Sequence, residues 1–173
     1  MMQQNKLMEL TPDKWGLLVY LGDHGAVDLT TVRRFMKDVA ESRLAIAEDN
    51  LSVAEKLLEI GLSNRTVIHK SYYSMHHAAR SAVYLQMQID VTRHRSLVDK
   101  FKKLLIKKFG DETLAKQMNV WRMDRIKCDY DPNVEVAEDM CESAISDASM
   151  IIGISAIPAQ SSTLHSWSYL SNF

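Results

Sequence analysis

The stretch Trp121–Pro132 reads WRMDRIKCDYDP: the end of one helix, a turn, and the approach to another. Counting back from it, Leu114, Met118, Trp121, Arg125 and Cys128 fall at i, i+4, i+7, i+11 and i+14, one stripe of a helix. Arg125 therefore lies in line with an apolar face, where a guanidinium needs an acidic or anionic partner. Asp129, four residues on and at the helix end, is the nearest one. Two readings follow. Arg125 and Asp129 form a local pair that closes the helix and positions the turn Asp129–Tyr130–Asp131–Pro132, or they mark an anion or nucleotide site at this corner.

Working upstream, Gly110 closes the preceding helix, with Asp111 or Thr113 able to cap the next. In that preceding helix Leu97, Phe101, Leu104 and Leu105 face inward. Lys100, Lys103 and Lys107 face out, with Lys102 and Lys108 nearby, as a solvated face or a phosphate-backbone track. Thr92 is a candidate N-cap for it, after the connection Ile89–Asp90–Val91. Ser63 starts the helix before, which runs to about Gln88 and carries two stripes. Ile68, Tyr72, Met75, Ala79 and Ala82 form an apolar one; His69, Tyr73, His77, Arg80 and Tyr84 form a polar-aromatic one. The second stripe fits a half-buried interface or the wall of a ligand or RNA cleft. It does not fit a metal site, because His69 and His77 lie two turns apart with no carboxylate in the row.

Before Gly61, Leu44, Ala47, Leu51, Ala54 and Leu58 step by three and four as in a bundle seam. Val32, Phe35, Met36 and Val39 make a separate face, on one long helix or on two that break near Ala40–Ser42. Thr11–Pro12 reads as a helix start for the short run WGLLVYLG, which its periodicity alone does not separate from a strand. Downstream of Pro132, Met140, Ala144, Ala148 and Ile151 define a last helix, whose first turns carry Glu138, Asp139 and Glu142. Periodicity fades after Gly153, and the tail is rich in serine and aromatics. The expected organisation is an N-terminal arm (1–30), a helical bundle (31–155) and a flexible tail (156–173). The expected fold is all-α, an antiparallel up-and-down bundle of four to five helices.

Composition narrows the function by exclusion. With 46% hydrophobic and 25% charged residues and a formal net charge of -1, the chain has no global electrostatic attraction to nucleic acid. Cys128 and Cys141 are not spaced as a C-x-x-C motif. MMQQNKLMEL has no sustained apolar run, so a cytoplasmic protein without a membrane span is expected. There is no glycine-rich phosphate loop, G-x-S-x-G or H-E-x-x-H, and neither a metal nor a cofactor is expected.

Three segments, KSYYSMHHAARSAVYL (70–85), TRHRSLVDKF (92–101) and RIKCDYDP (125–132), stand in the order and at the separations of one branch of a known family. From about Val39 to Ile154 the chain resembles the HEPN domain, in the branch with S-x-A-Y-Y-A-M-x-H-A-A-R, T-x-H-R and R-x-x-x-D-Y-D-P segments. The resemblance implies a helical bundle that dimerises and a nucleotide- or RNA-related role. It also implies a toxin–antitoxin setting beside a minimal nucleotidyltransferase. Many such domains are metal-independent ribonucleases that use an arginine followed four to six residues later by a histidine. Here no histidine follows Arg122 or Arg125 at that spacing, and Asp129–Tyr130 stands in its place.

Any chemistry is accordingly expected from Arg125, Asp129, Tyr130 and His77, with Tyr73, Arg80, His94 and Arg122 lining the ligand. Three functions are open on these residues. One is a dimeric module binding a nucleotidyltransferase and a nucleotide or RNA. Another is a ribonuclease with Arg125 on the phosphate and His77 or His94 as proton donor. The third is a structural bundle with Arg125–Asp129 as a corner clamp, in which Arg125→Ala costs about 3 kcal/mol or more if Asp129 is left buried and unpaired.

Overall fold

A computed structural model describes residues 15–160, with side chains from 17 to 156. Among these residues there are six helices and no strand: α1 Trp15–Asp23, α2 Leu29–Glu59, α3 Asn64–Met87, α4 His94–Phe109, α5 Thr113–Tyr130 and α6 Glu138–Gln160. The expected cap at Thr11–Pro12 and the tail from 161 onward lie outside the described residues. The run WGLLVYLG is helical, as part of α1.

Helix α2 is a single rod of 31 residues with no break at Ala40–Ser42. Asp28 starts it by accepting from the Thr30 N–H (3.0 Å) and the Thr31 hydroxyl (2.5 Å), the N-cap chemistry of a short carboxylate. At its far end Gly61 adopts φ +62, and two bonds, Gly61 N–H to Leu58 O and Leu62 N–H to Leu57 O, close the helix. That pairing needs a left-handed residue after the last turn, which glycine supplies without steric cost. Ala40, Ala47 and Ala54 recur every seven residues and are fully buried. On α3, which packs against α2, Ser74, Ala78 and Ser81 are small and buried too. Ser81 Oγ donates 2.7 Å to the Ala40 carbonyl across this seam. Leu44, Leu51 and Leu58, the larger members of the expected seam, are partly buried along its edge.

Helix α3 is the axis of the fold and packs on α2, α4, α5 and α6. Its apolar stripe (Ile68, Tyr72, Met75, Ala79, Ala82) is buried as the spacing predicts. Leu97, Phe101, Leu104 and Leu105 of α4, Met118 and Trp121 of α5, and Ala144, Ala148 and Ile151 of α6 complete one core. A smaller core joins Val32, Met36 and Ala40 of α2 to Tyr84, with Leu18 and Val19 of α1 against it. Ser63 caps α3 as expected. Thr92 does not cap α4: Arg93 holds that position and makes no side-chain cap bond. The α6 helix continues past Gly153, where periodicity fades, to Gln160.

The corner after α5 is held from α3. Arg65 donates Nη1 to the Cys128 carbonyl (3.3 Å), and Nη2 to the carbonyls of Pro132 (2.7 Å) and Val134 (2.6 Å). Asn64 Nδ2 adds a bond to Val136 O at 2.8 Å. At Cys128 this cation meets one of the last carbonyls of α5, where helix geometry leaves acceptors unused and the dipole favours positive charge; Pro132 and Val134 belong to the loop that follows.

Candidate functional site

Tyr72, Tyr73, His76 and His77 occupy successive turns of α3, and the first residue of α4, His94, is folded back against them. The His76 and His94 ring centroids are 4.4 Å apart, and Tyr73 meets the His94 ring edge-on at 6.0 Å. Tyr72 Oη and His94 Nδ1 lie 2.7 Å apart, sharing a proton between phenol and imidazole. From α5, the Arg125 guanidinium lies 5.5 Å from the ring centroids of both Tyr72 and Tyr73, a cation held against two aromatic rings. Its Nη1 donates to Asp129 Oδ2 at 2.7 Å, while its buried Nε has no partner among the described residues.

The electrostatics follow from burial beside arginines. His76 is 5% exposed, neither of its ring nitrogens has a partner among the described residues, and its pKa is pushed down to about 3. Desolvation is the main cause; the neighbouring His94 and His77 and the charges of Arg80 and Arg125 act in the same direction. Burial also lowers His94, with Arg125 and Arg122 adding to it, and lowers His77, with Arg80 and Arg43 adding. His69, stacked 4.7 Å from Tyr73, is lowered by burial against the pull of Asp129. Burial raises the Tyr72 phenol, which stays protonated. Near neutral pH the site thus offers uncharged imidazoles, an aromatic wall and a guanidinium. These are groups that hold a phosphate, stack a base and relay a proton.

The residues expected from sequence are distributed as follows. Arg125, Tyr73, His94 and His77 meet in this cluster, and Asp129 closes it at the solvent side. Arg122 donates Nε to Asn119 Oδ1 at 3.1 Å and projects its charge on His94 and Tyr72. Tyr130 is 79% exposed, one residue beyond Asp129. Arg80 is turned to Asp90, with Nε to Oδ1 and Nη2 to Oδ2 both at 2.7 Å, and Arg43 Nη2 joins the same Oδ2 at 2.6 Å. His76 and Tyr72 were not among the expected site residues. By spacing Tyr72 belongs to the apolar stripe, and the adjacent pair His76–His77 is the signal the sequence offers. In the lysine cluster, Lys102 is paired with Glu112 at 2.6 Å. Among the described residues, no group of three or more His, Cys, Asp or Glu is disposed to hold a metal ion, and no helix is long and apolar enough to cross a membrane.

No curated protein matches the chain significantly. A family model for the HEPN domain does match, over residues 40–157, a span from the Ala40 contact in α2 to the last turns of α6 that takes in every helix contributing to the cluster. With the match covering most of the chain and the all-helical architecture in agreement, this protein belongs to the HEPN domain family.

Proposed function

We propose that the protein is a nucleotide- or RNA-binding module of the toxin–antitoxin type, acting as a homodimer beside a minimal nucleotidyltransferase. One observation carries the reading: the Arg125 guanidinium is held against Tyr72 and Tyr73, its only ion pair among the described residues is to Asp129, and neutral imidazoles stand behind it. A phosphate competes with Asp129 for Arg125, and a base stacks on the aromatic wall. Membership of a family often linked to nucleotides and RNA supports the same reading. Tyr130, exposed beside the corner, is the residue we assign as acceptor of a nucleotidyl group from such a partner. Its phenolic oxygen attacks the α-phosphorus, pyrophosphate leaves, and the phenolic proton passes to a base.

The bond between Tyr72 and His94 favours one second reading, a metal-independent ribonuclease. Arg125 then holds the scissile phosphate, neutral His94 serves as base for the attacking 2′-hydroxyl, and His76 or His77 completes the proton relay. Both readings are tested by incubating wild type and Arg125→Ala with a mixed RNA pool in the presence of chelator. Retention of intact RNA by wild type, weakened about tenfold or more in the variant, is expected for the binding module. Cleavage by wild type that vanishes in the folded variant selects the ribonuclease. Neither retention nor cleavage by wild type refutes both.

A further inference from the structure

The bond between Tyr72 Oη and His94 Nδ1, 2.7 Å long, holds its hydrogen on one side or the other, and burial decides which. Burial keeps the phenol protonated, and burial with the charges of Arg125 and Arg122 keeps the imidazole neutral, so each group has one hydrogen to place. Tyr72 is fully buried, and Nδ1 is the one hydrogen-bond partner of its Oη among the described residues. Were the imidazole to donate through an Nδ1–H, the phenolic hydrogen would be left inside the core with no acceptor, a desolvation cost that nothing offsets. When the phenol donates instead, the Nδ1 lone pair meets that hydrogen, and the hydrogen of the imidazole sits on Nε2. Nε2 makes no hydrogen bond among the described residues, but His94 is only half-buried and this atom is open to solvent. Water satisfies its N–H when no ligand is bound. Only this arrangement leaves neither hydrogen stranded.

We propose that Tyr72 positions His94 as an uncharged hydrogen-bond donor, whose Nε2–H bonds an acceptor oxygen of the nucleotide at the Arg125 cluster. The assignment rests on the nucleotide reading of that cluster. The same two rings hold both groups: the Tyr72 centroid lies 5.5 Å from the Arg125 guanidinium and 5.6 Å from the His94 ring, and the Tyr73 centroid lies at 5.5 and 6.0 Å. A second cation at His94 would be opposed by Arg125 and Arg122. A neutral N–H adds a hydrogen bond to an oxygen-rich ligand without that repulsion. The position of the hydrogen also separates the two readings of the site. A base for the 2′-hydroxyl needs a free lone pair, and with Nδ1 occupied and Nε2 protonated His94 has none. The ribonuclease in which His94 takes that proton therefore requires the opposite tautomer.

Nitrogen-15 imidazole spectra of the full chain at neutral pH, with calorimetric titration by adenosine 5′-monophosphate, test this. Before nucleotide is added, the His94 signals are expected to show a hydrogen on Nε2 and a hydrogen-bonded lone pair at Nδ1. Tyr72→Phe keeps the ring against Arg125 and removes only the hydroxyl, so the Nδ1 signal should move to that of a nitrogen with no donor. On titration the Nε2–H resonance of wild type should shift, and His94→Leu should bind the nucleotide about tenfold more weakly. A hydrogen on Nδ1 in wild type overturns the proposal whether or not nucleotide binds, and this measurement needs no variant. An Nδ1 signal unmoved in Tyr72→Phe overturns it as well. So does binding by His94→Leu equal to that of wild type, a result that leaves the nucleotide reading standing. No binding by wild type removes that reading and the donor role with it.

Discussion

Lowering the pH from 7 to 5 is expected to destabilise the fold through His76. The folded pKa of about 3 lies below the ordinary value of 6.5, so the unfolded chain takes up the proton first. The stability that depends on a neutral His76 is then complete above about pH 6.5. It falls as the pH drops through the window toward the folded pKa and is exhausted near pH 3. Each pH unit inside the window costs about 1.4 kcal/mol, so the step from 7 to 5 costs about 2 kcal/mol from this residue. His69, His77 and His94 are shifted in the same direction and add to the slope. Asp90 does not interfere: its burial is outweighed by the Arg80 and Arg43 contacts that hold the carboxyl below its ordinary 3.8, so its contribution is lost only as the pH falls below that value. Urea unfolding of wild type and His76→Leu at pH 5, 6 and 7 measures the effect. The wild-type free energy should fall more than that of the variant, by about 2 kcal/mol over the range. Parallel losses in the two proteins would refute the assignment of the slope to His76. A flat wild-type profile would refute the neutral-imidazole cluster as a whole.

Removing the corner clamp has a different signature. Arg65→Ala deletes three bonds from a charged donor to backbone carbonyls and should cost about 2–4 kcal/mol, with faster amide exchange across 131–137 than elsewhere; unchanged exchange there would contradict the clamp. Arg125→Ala, by contrast, should cost only about 1 kcal/mol by thermal unfolding, because the Asp129 side chain, 28% exposed at the helix end, regains water when its partner goes. A loss of about 3 kcal/mol would restore the structural-clamp reading of this arginine.

The helices were legible because their signals are local. Steps of three and four in α3 and α5, Ser63 as a cap, and Gly61 and Gly110 as stops each act within a turn or two of their own position. The pairing of Arg125 with Asp129 is of the same kind, four residues apart on one helix. Arg65 was not legible, since its acceptors lie 63 to 69 residues away and are backbone carbonyls that carry no side-chain signature. Arg43 and Asp90 are 47 residues apart and meet only when α2 and α3 pack. His76 is not legible as a member of the cluster, because a histidine on a mixed helix face shows its environment only through its neighbours. Its closest ring partner, His94, comes from the next helix.

One feature of α3 links stability to the site. The same helix carries the small-residue face that packs on α2 and the imidazole face that meets α4 and α5, so the histidines are neutral as a consequence of sitting on the most enclosed element. Mutations on this helix will therefore disturb packing and site together. The arginines differ in this respect. Arg80 is committed to Asp90, whose side chain is 6% exposed, and its removal strips a fork from a nearly buried carboxylate. Arg125 answers to an aspartate whose side chain is 28% exposed, and Arg43 shares the Asp90 carboxylate with Arg80. Arg125 is thus the position at which a loss of the proposed binding can be separated from a loss of fold. The difference comes from the burial of each partner carboxylate, not from the arginines themselves.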